Sequence, residues 1–228
     1  MKNNLLVMLL LLTSVNYSQT FQVEKLNGNV KMLSNNSNTW QQVKSKMILN
    51  ENDVISTDKS SSVLIKSDEI SFTLKESSAI TVSSIKKMSL DELILALAME
   101  NVMNAPRKKE NVKSDNTGVY GDKVSEETLT TLKSNDFGMK RLSGAKQLAE
   151  NGMEESAIIA AKEVYRKYPE TKKDAKSRIY FADLLFDNGL YEESYDEYTE
   201  IKLLELNSEQ KLHVNAKLEQ INKKLINK

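Results

Sequence analysis

A seven-residue motif that occurs twice constrains this chain more than any other feature. Asn151-Gly152-Met-Glu-Glu-Ser-Ala157 returns 37 residues later as Asn188-Gly189-Leu-Tyr-Glu-Glu-Ser194. Gly ends a helix because it enters the left-handed region without steric cost, and acidic residues just after it favour the positive end of the next helix. Each copy therefore predicts the turn of an antiparallel helix pair. Ala145, Ala157 and Ala161 in the first unit, and Ala182 and Ser194 in the second, are small enough for paired helices to approach closely. Leu148, Val164, Phe181, Leu185, Tyr198 and Ile201 are large and apolar, and fill the space to the next pair.

This pattern, with Pro169 closing the first unit, resembles the tetratricopeptide-like repeat, whose period is about 34 residues. The resemblance covers residues 129–228 and implies about two repeats and a terminal cap. Arg141 and Gly144 depart from it in the first unit, and Leu206 stands where a second Pro would close the other. Ser208 opens the cap helix, with Val214, Leu218, Ile221 and Leu225 on one face and Lys211, Lys217, Lys223 and Lys224 on another. In such arrays the first helix of each pair lines a concave binding surface. For the second repeat this assigns partner binding to Lys176, Ile179, Asp183 and Phe186. Two repeats are few for a free-standing array, so packing on another element or self-association is expected.

Residues 21–85 read differently. Short alternating apolar runs begin at Phe21, Val30, Trp40, Ile48, Val54, Val63, Ile70 and Ala79, separated by polar turns. Ile70, Phe72 and Leu74 keep strict period two, which buries one face of a strand and wets the other. Asn27-Gly28 between two alternating runs predicts a tight hairpin. Closely spaced strands of this kind form a small barrel or sandwich. Trp40 and Phe72 are expected in its core, and Asp53 and Thr57 are expected to hold turn backbone.

The order Val23, Gly28-x-Val30, Trp40-x-x-Val43, Leu49-x-x-x-Asp53-x-Ile55-x-Thr57, Ser62-Val63 and Phe72-x-Leu74 resembles the extracytoplasmic FecR-like domain, with Asn52 where a Gly often precedes the Asp. The resemblance covers about residues 21–85. It implies an all-β module used in binding and signalling outside the cytoplasm, without catalysis.

Met1-Lys2 followed by an unbroken apolar run, Leu5 to Leu12, reads as a signal peptide over residues 1–18, cleaved before Gln19. As a helix that run spans about 12 Å, well short of a bilayer core of about 30 Å. The β domain is then residues 19–87. Ser89 and Glu92 have capping-box spacing and open an apolar helix over residues 88–105. Leu93 to Met99 is apolar on nearly every side, so that helix must dock within the chain or on a partner. Residues 106–128 are polar and read as a linker, with Thr117–Gly121 as one further short strand.

Chemistry is sparsely encoded. The chain has one His and no Cys, which removes disulfides, thiolate zinc sites and Cys nucleophiles. His213 lies on the charged cap helix, and no nucleophile elbow, zincin motif or Gly-rich phosphate loop is present. No catalytic, metal or cofactor-binding residue is assigned, and no enzyme activity is expected. Thirty-two basic residues balance thirty-two acidic ones, against the cationic surplus that nucleic-acid binding needs. The sequence thus predicts an exported α+β protein, β part first, located in the periplasm, with secretion or surface association as the alternatives. The expected role is an adaptor for an envelope protein or peptide. The alternative is a module that binds carbohydrate or peptidoglycan through its β domain.

Overall fold

The computed structural model describes residues 20–34, 39–104 and 134–226. The signal peptide, the linker and the short Thr117–Gly121 strand expected from sequence lie outside the described residues. Among the described residues the architecture is α+β, with antiparallel sheets first and six α-helices after them.

Eight strands cover the predicted positions: β1 (Phe21–Asn27), β2 (Val30–Leu33), β3 (Gln41–Gln42), β4 (Ile48–Leu49), β5 (Val54–Thr57), β6 (Ser62–Lys66), β7 (Ser71–Leu74) and β8 (Ala79–Thr81). They form two four-stranded antiparallel sheets, ordered β4-β1-β6-β7 and β3-β2-β5-β8. Alternation decides what is buried. Val23, Ile65, Phe72 and Leu74 of one sheet and Val30, Ile55 and Ile80 of the other share one core. Asp53 and Thr57 serve backbone as expected: Asp53 Oδ2 accepts from the Asn50 amide at 2.8 Å, and Thr57 Oγ1 donates to the Lys75 carbonyl at 2.6 Å.

The Asn27-Gly28 hairpin is not formed. β1 pairs with β4 and β6, whereas β2 pairs with β3 and β5 in the other sheet. A tight hairpin of that type needs two residues with positive φ. Only Gly28 has one, while Asn27 stays in β1 opposite Ser62. The turn instead carries the chain from one sheet to the other, and the Asn29 amide donates to Ser61 Oγ at 2.9 Å.

Helix α1 (Leu90–Asn104) starts on the predicted capping box: the Ser89 amide donates to Glu92 Oε2 at 2.7 Å, and the Glu92 amide donates to Ser89 Oγ at 3.3 Å. Helices α2 (Asn135–Glu150), α3 (Glu154–Lys167), α4 (Ala175–Asp187), α5 (Tyr191–Ile201) and α6 (Ser208–Ile226) follow. The duplicated motif closes α2–α3 and α4–α5 with the same turn. The Met153 and Leu190 amides donate to the Leu148 and Leu185 carbonyls at 3.0 and 2.9 Å. Asn151 and Asn188 side chains donate to the Gln147 and Leu184 carbonyls, and Gly152 and Gly189 hold φ near +75° and +77°.

The helices do not stand apart from the sheets. Gly144 of α2 lies against the Ala79 carbonyl of β8, where a Cβ would come within 2.1 Å of the oxygen. Around that contact the Lys75 amide donates to Gln147 Oε1 at 2.6 Å, Gln147 Nε2 donates to Ser78 Oγ at 2.7 Å, and Arg141 donates to Thr81 Oγ1 at 2.9 Å. One apolar core therefore runs from Phe21 through Val82, Leu142 and Leu148 to Leu190. A second, smaller core joins Ala182, Tyr198 and Ile201 to Val214 and Ile221 of α6. The two departures from the repeat pattern noted in sequence, Arg141 and Gly144, are thus the residues on which the sheet docks.

Candidate interaction surfaces

Of the four residues expected to bind a partner, only Lys176 is exposed. Ile179 and Phe186 are half-buried against the α6 core. Asp183 is occupied: Tyr198 OH donates to its Oδ1 at 2.5 Å, His213 Nε2 lies 2.9 Å away and Lys217 Nζ 3.1 Å away. Lys217 also sits 4.1 Å from the centre of the Phe186 ring. The cap helix α6 thus covers much of the α4 face that the repeat pattern assigns to binding. His213 serves this helix-to-helix contact.

What remains open is a groove of about 560 Å³ lined by Phe186 and by Gln220, Lys223 and Lys224 of α6. Tyr191 meets Phe186 edge-on at 5.4 Å, and the Lys224 ammonium lies 6.0 Å from the Tyr191 ring. Gln220, Lys223 and Lys224 are exposed along its wall. Aromatic rings thus lie beside flexible cations along this groove.

The cations that run from Lys162 in α3 to Lys173 before α4, five in all, are mostly committed internally. Lys162 pairs with Glu197, Arg166 with Glu100 at 2.8 Å, Lys167 with Glu163 at 2.6 Å and Lys173 with Glu170 at 2.5 Å. Burial alone raises the Glu197 carboxyl, but Lys162 and Arg178 outweigh it and leave Glu197 below the ordinary carboxylate value. One pairing repeats at the motif's own offset: Arg141 faces Glu163 at 3.6 Å, and Arg178 faces Glu200 at 2.7 Å. Sequence reading missed it, although 178 − 141 and 200 − 163 both give the offset of 37 already visible in the motif.

A second open surface lies on α1. Leu93 and Leu97 are buried in the common core, and Glu100 is held by Arg166. Leu95, Met99 and Val102, on the far side, are 63%, 61% and 76% exposed, with Leu90 and Ile94 flanking them at 43% and 46%. The signal was in the sequence, because a helix apolar all round can bury only one face against its own domain.

The β domain offers no comparable aromatic platform among the described residues. Phe21 and Phe72 are buried, and Trp40 is half-buried with its ring 5.7 Å from Phe137 of α2. Among the described residues no three His, Cys, Asp or Glu side chains gather as a metal site, and no helix is long and apolar enough to cross a membrane. Comparisons with protein-family models, curated proteins and solved structures found no match to this chain.

Proposed function

We propose that this protein is an exported, non-enzymatic interaction scaffold of the bacterial cell envelope that captures a protein or peptide at the α4–α5–α6 groove. The observation that carries the reading is that groove: Phe186 forms its floor while Gln220, Lys223 and Lys224 project along an open wall. Helix pairs repeating at 37 residues support it, since stacked pairs present binding surfaces and the tetratricopeptide-like pattern is used that way. The apolar leader at residues 5–12 and the FecR-like order of residues in the strands support an extracytoplasmic location.

The reading is tested by affinity capture from envelope extract with residues 19–228, beside a variant carrying Gln220→Ala, Lys223→Glu and Lys224→Glu. These three side chains are exposed, whereas Asp183 and Phe186 hold α6 and are left intact. Specific proteins captured by the wild type and lost by the variant support the groove. Equal capture by both moves binding elsewhere.

A further inference from the structure

We propose that the exposed ridge of α1 is a homodimer interface, in which α1 packs antiparallel against α1 of a second copy. The inference stands independently of the groove.

The ridge is preformed. Leu93 and Leu97 anchor α1 in the core, Glu100 is tied to Arg166, and the Ser89–Glu92 box fixes its first turn. Presenting a fixed face removes much of the ordering cost of association. The face is also large enough. Ile94, Leu95, Ala98, Met99 and Val102 together expose on the order of 500 Å², so full pairing of two copies buries on the order of 1,000 Å², the floor for a specific interface.

A second copy is the occupant that the pattern fits. At about 100° per residue, Leu95, Ala98, Met99 and Val102 lie on the side opposite Leu93 and Leu97. A two-fold axis between Ala98 and Met99 sets Leu95 against Val102 of the other copy, Met99 against Met99 and Ala98 against Ala98. Every facing pair is then apolar, and the same patch serves both copies, as a two-fold interface requires. Residues 93–99 carry no charge, so the centre of the ridge has no polar feature with which to select an unlike partner. Charge sets the direction. Asp91 and Glu92 crowd the helix start, so parallel pairing would bring four carboxylates together, whereas antiparallel pairing places the two Asp91 residues about 20 Å apart. The chain's zero net charge opposes no such encounter.

The experiment is sedimentation velocity of residues 19–228 over a concentration series, with single-Cys cross-linking in a chain that has no Cys of its own. A dimer with a Kd on the order of micromolar is expected. Leu95→Glu, at an exposed position, weakens it by at least about tenfold, and thermal unfolding measured well below the dimer Kd is unchanged. Met99→Cys cross-links under mild oxidation and Asp91→Cys does not. A wild type that stays monomeric at about 100 μM overturns the proposal and assigns the ridge to residues 105–133 or to an unlike partner. Cross-linking at Asp91→Cys, with or without cross-linking at Met99→Cys, overturns the antiparallel arrangement. Failed or altered partner capture by the groove variant leaves these results unchanged, so the two readings are separable.

Discussion

Gly144 and the carbonyl of Ala79 touch so closely that a single added methyl group at residue 144 would meet backbone rather than a yielding side chain. Ala is the better helix former by about 1 kcal/mol. Overpacking against a fixed group costs about 1–3 kcal/mol or more, and here the upper part of that range applies. Gly144→Ala is therefore expected to lower stability by about 2 kcal/mol, as read from urea unfolding. Because the core is continuous, both far-ultraviolet signal and Trp40 fluorescence should shift together. Two separate transitions would show that sheets and helices unfold independently.

The turn glycines offer a contrast. No atom lies within 4 Å of a Cβ built on Gly152 or Gly189. Only the positive φ resists substitution there, so Gly152→Ala and Gly189→Ala should each cost about 1 kcal/mol, less than Gly144→Ala. Equal losses at all three positions would refute the distinction between strain in φ and collision.

Acid sensitivity follows from Glu163 and Glu197. Burial pushes both carboxyls up, but Arg141 and Lys167 beside Glu163, and Lys162 and Arg178 beside Glu197, hold each below the ordinary value of 4.5. A folded pKa below the unfolded one contributes stability that is complete above the unfolded value. It is lost as pH falls through 4.5 and on through the folded value. Denaturant midpoints should hold steady down to about pH 5.5 and then decline. Glu197→Gln should cost about 1–3 kcal/mol near neutrality and flatten part of the acid limb. An acid limb as steep as the wild type's would exclude Glu197 as a titrating group.

Asp183 ties three helices: α4 holds it, Tyr198 reaches it from α5, and His213 and Lys217 reach it from α6. Asp183→Ala strands these partners and is expected to cost about 2 kcal/mol. The loss should fall on α6, with faster amide exchange around Val214 and Ile221 and little change in β1 or β6. Unchanged exchange in α6 would mean that its apolar contacts alone retain it.

Much of this fold was legible because its signals are local. Period two located the strands, the Ser89–Glu92 box located the start of α1, and the duplicated Asn-Gly turn located both helix pairs. What was missed depends on distant neighbours. Whether Asn27-Gly28 closes a hairpin or crosses between sheets is decided by Ser61 and by the pairing of β1 with β6, not by the turn residues. Arg141 and Gly144 look like flaws in a repeat until Thr81 and Ala79 are placed beside them. Asp183 and Phe186 were assigned with Lys176 and Ile179 to a partner-binding face, because the repeat pattern could not foresee that α6 would fold back onto them. The groove beside Phe186 survives because the later turns of α6 present Gln220, Lys223 and Lys224 to water.

The docking of α2 on β8 has a further consequence. β8 is an end strand of its sheet, and such a strand offers unpaired amides and carbonyls to any extended chain that drifts past. Lying across Ala79, α2 takes that role away, and the opposite end strand β3 is only two residues long. Lifting α2 by crowding residue 144 would thus do more than weaken the monomer. It would uncover a template for misassembly, so poor solubility is the outward sign by which such a variant would first be noticed.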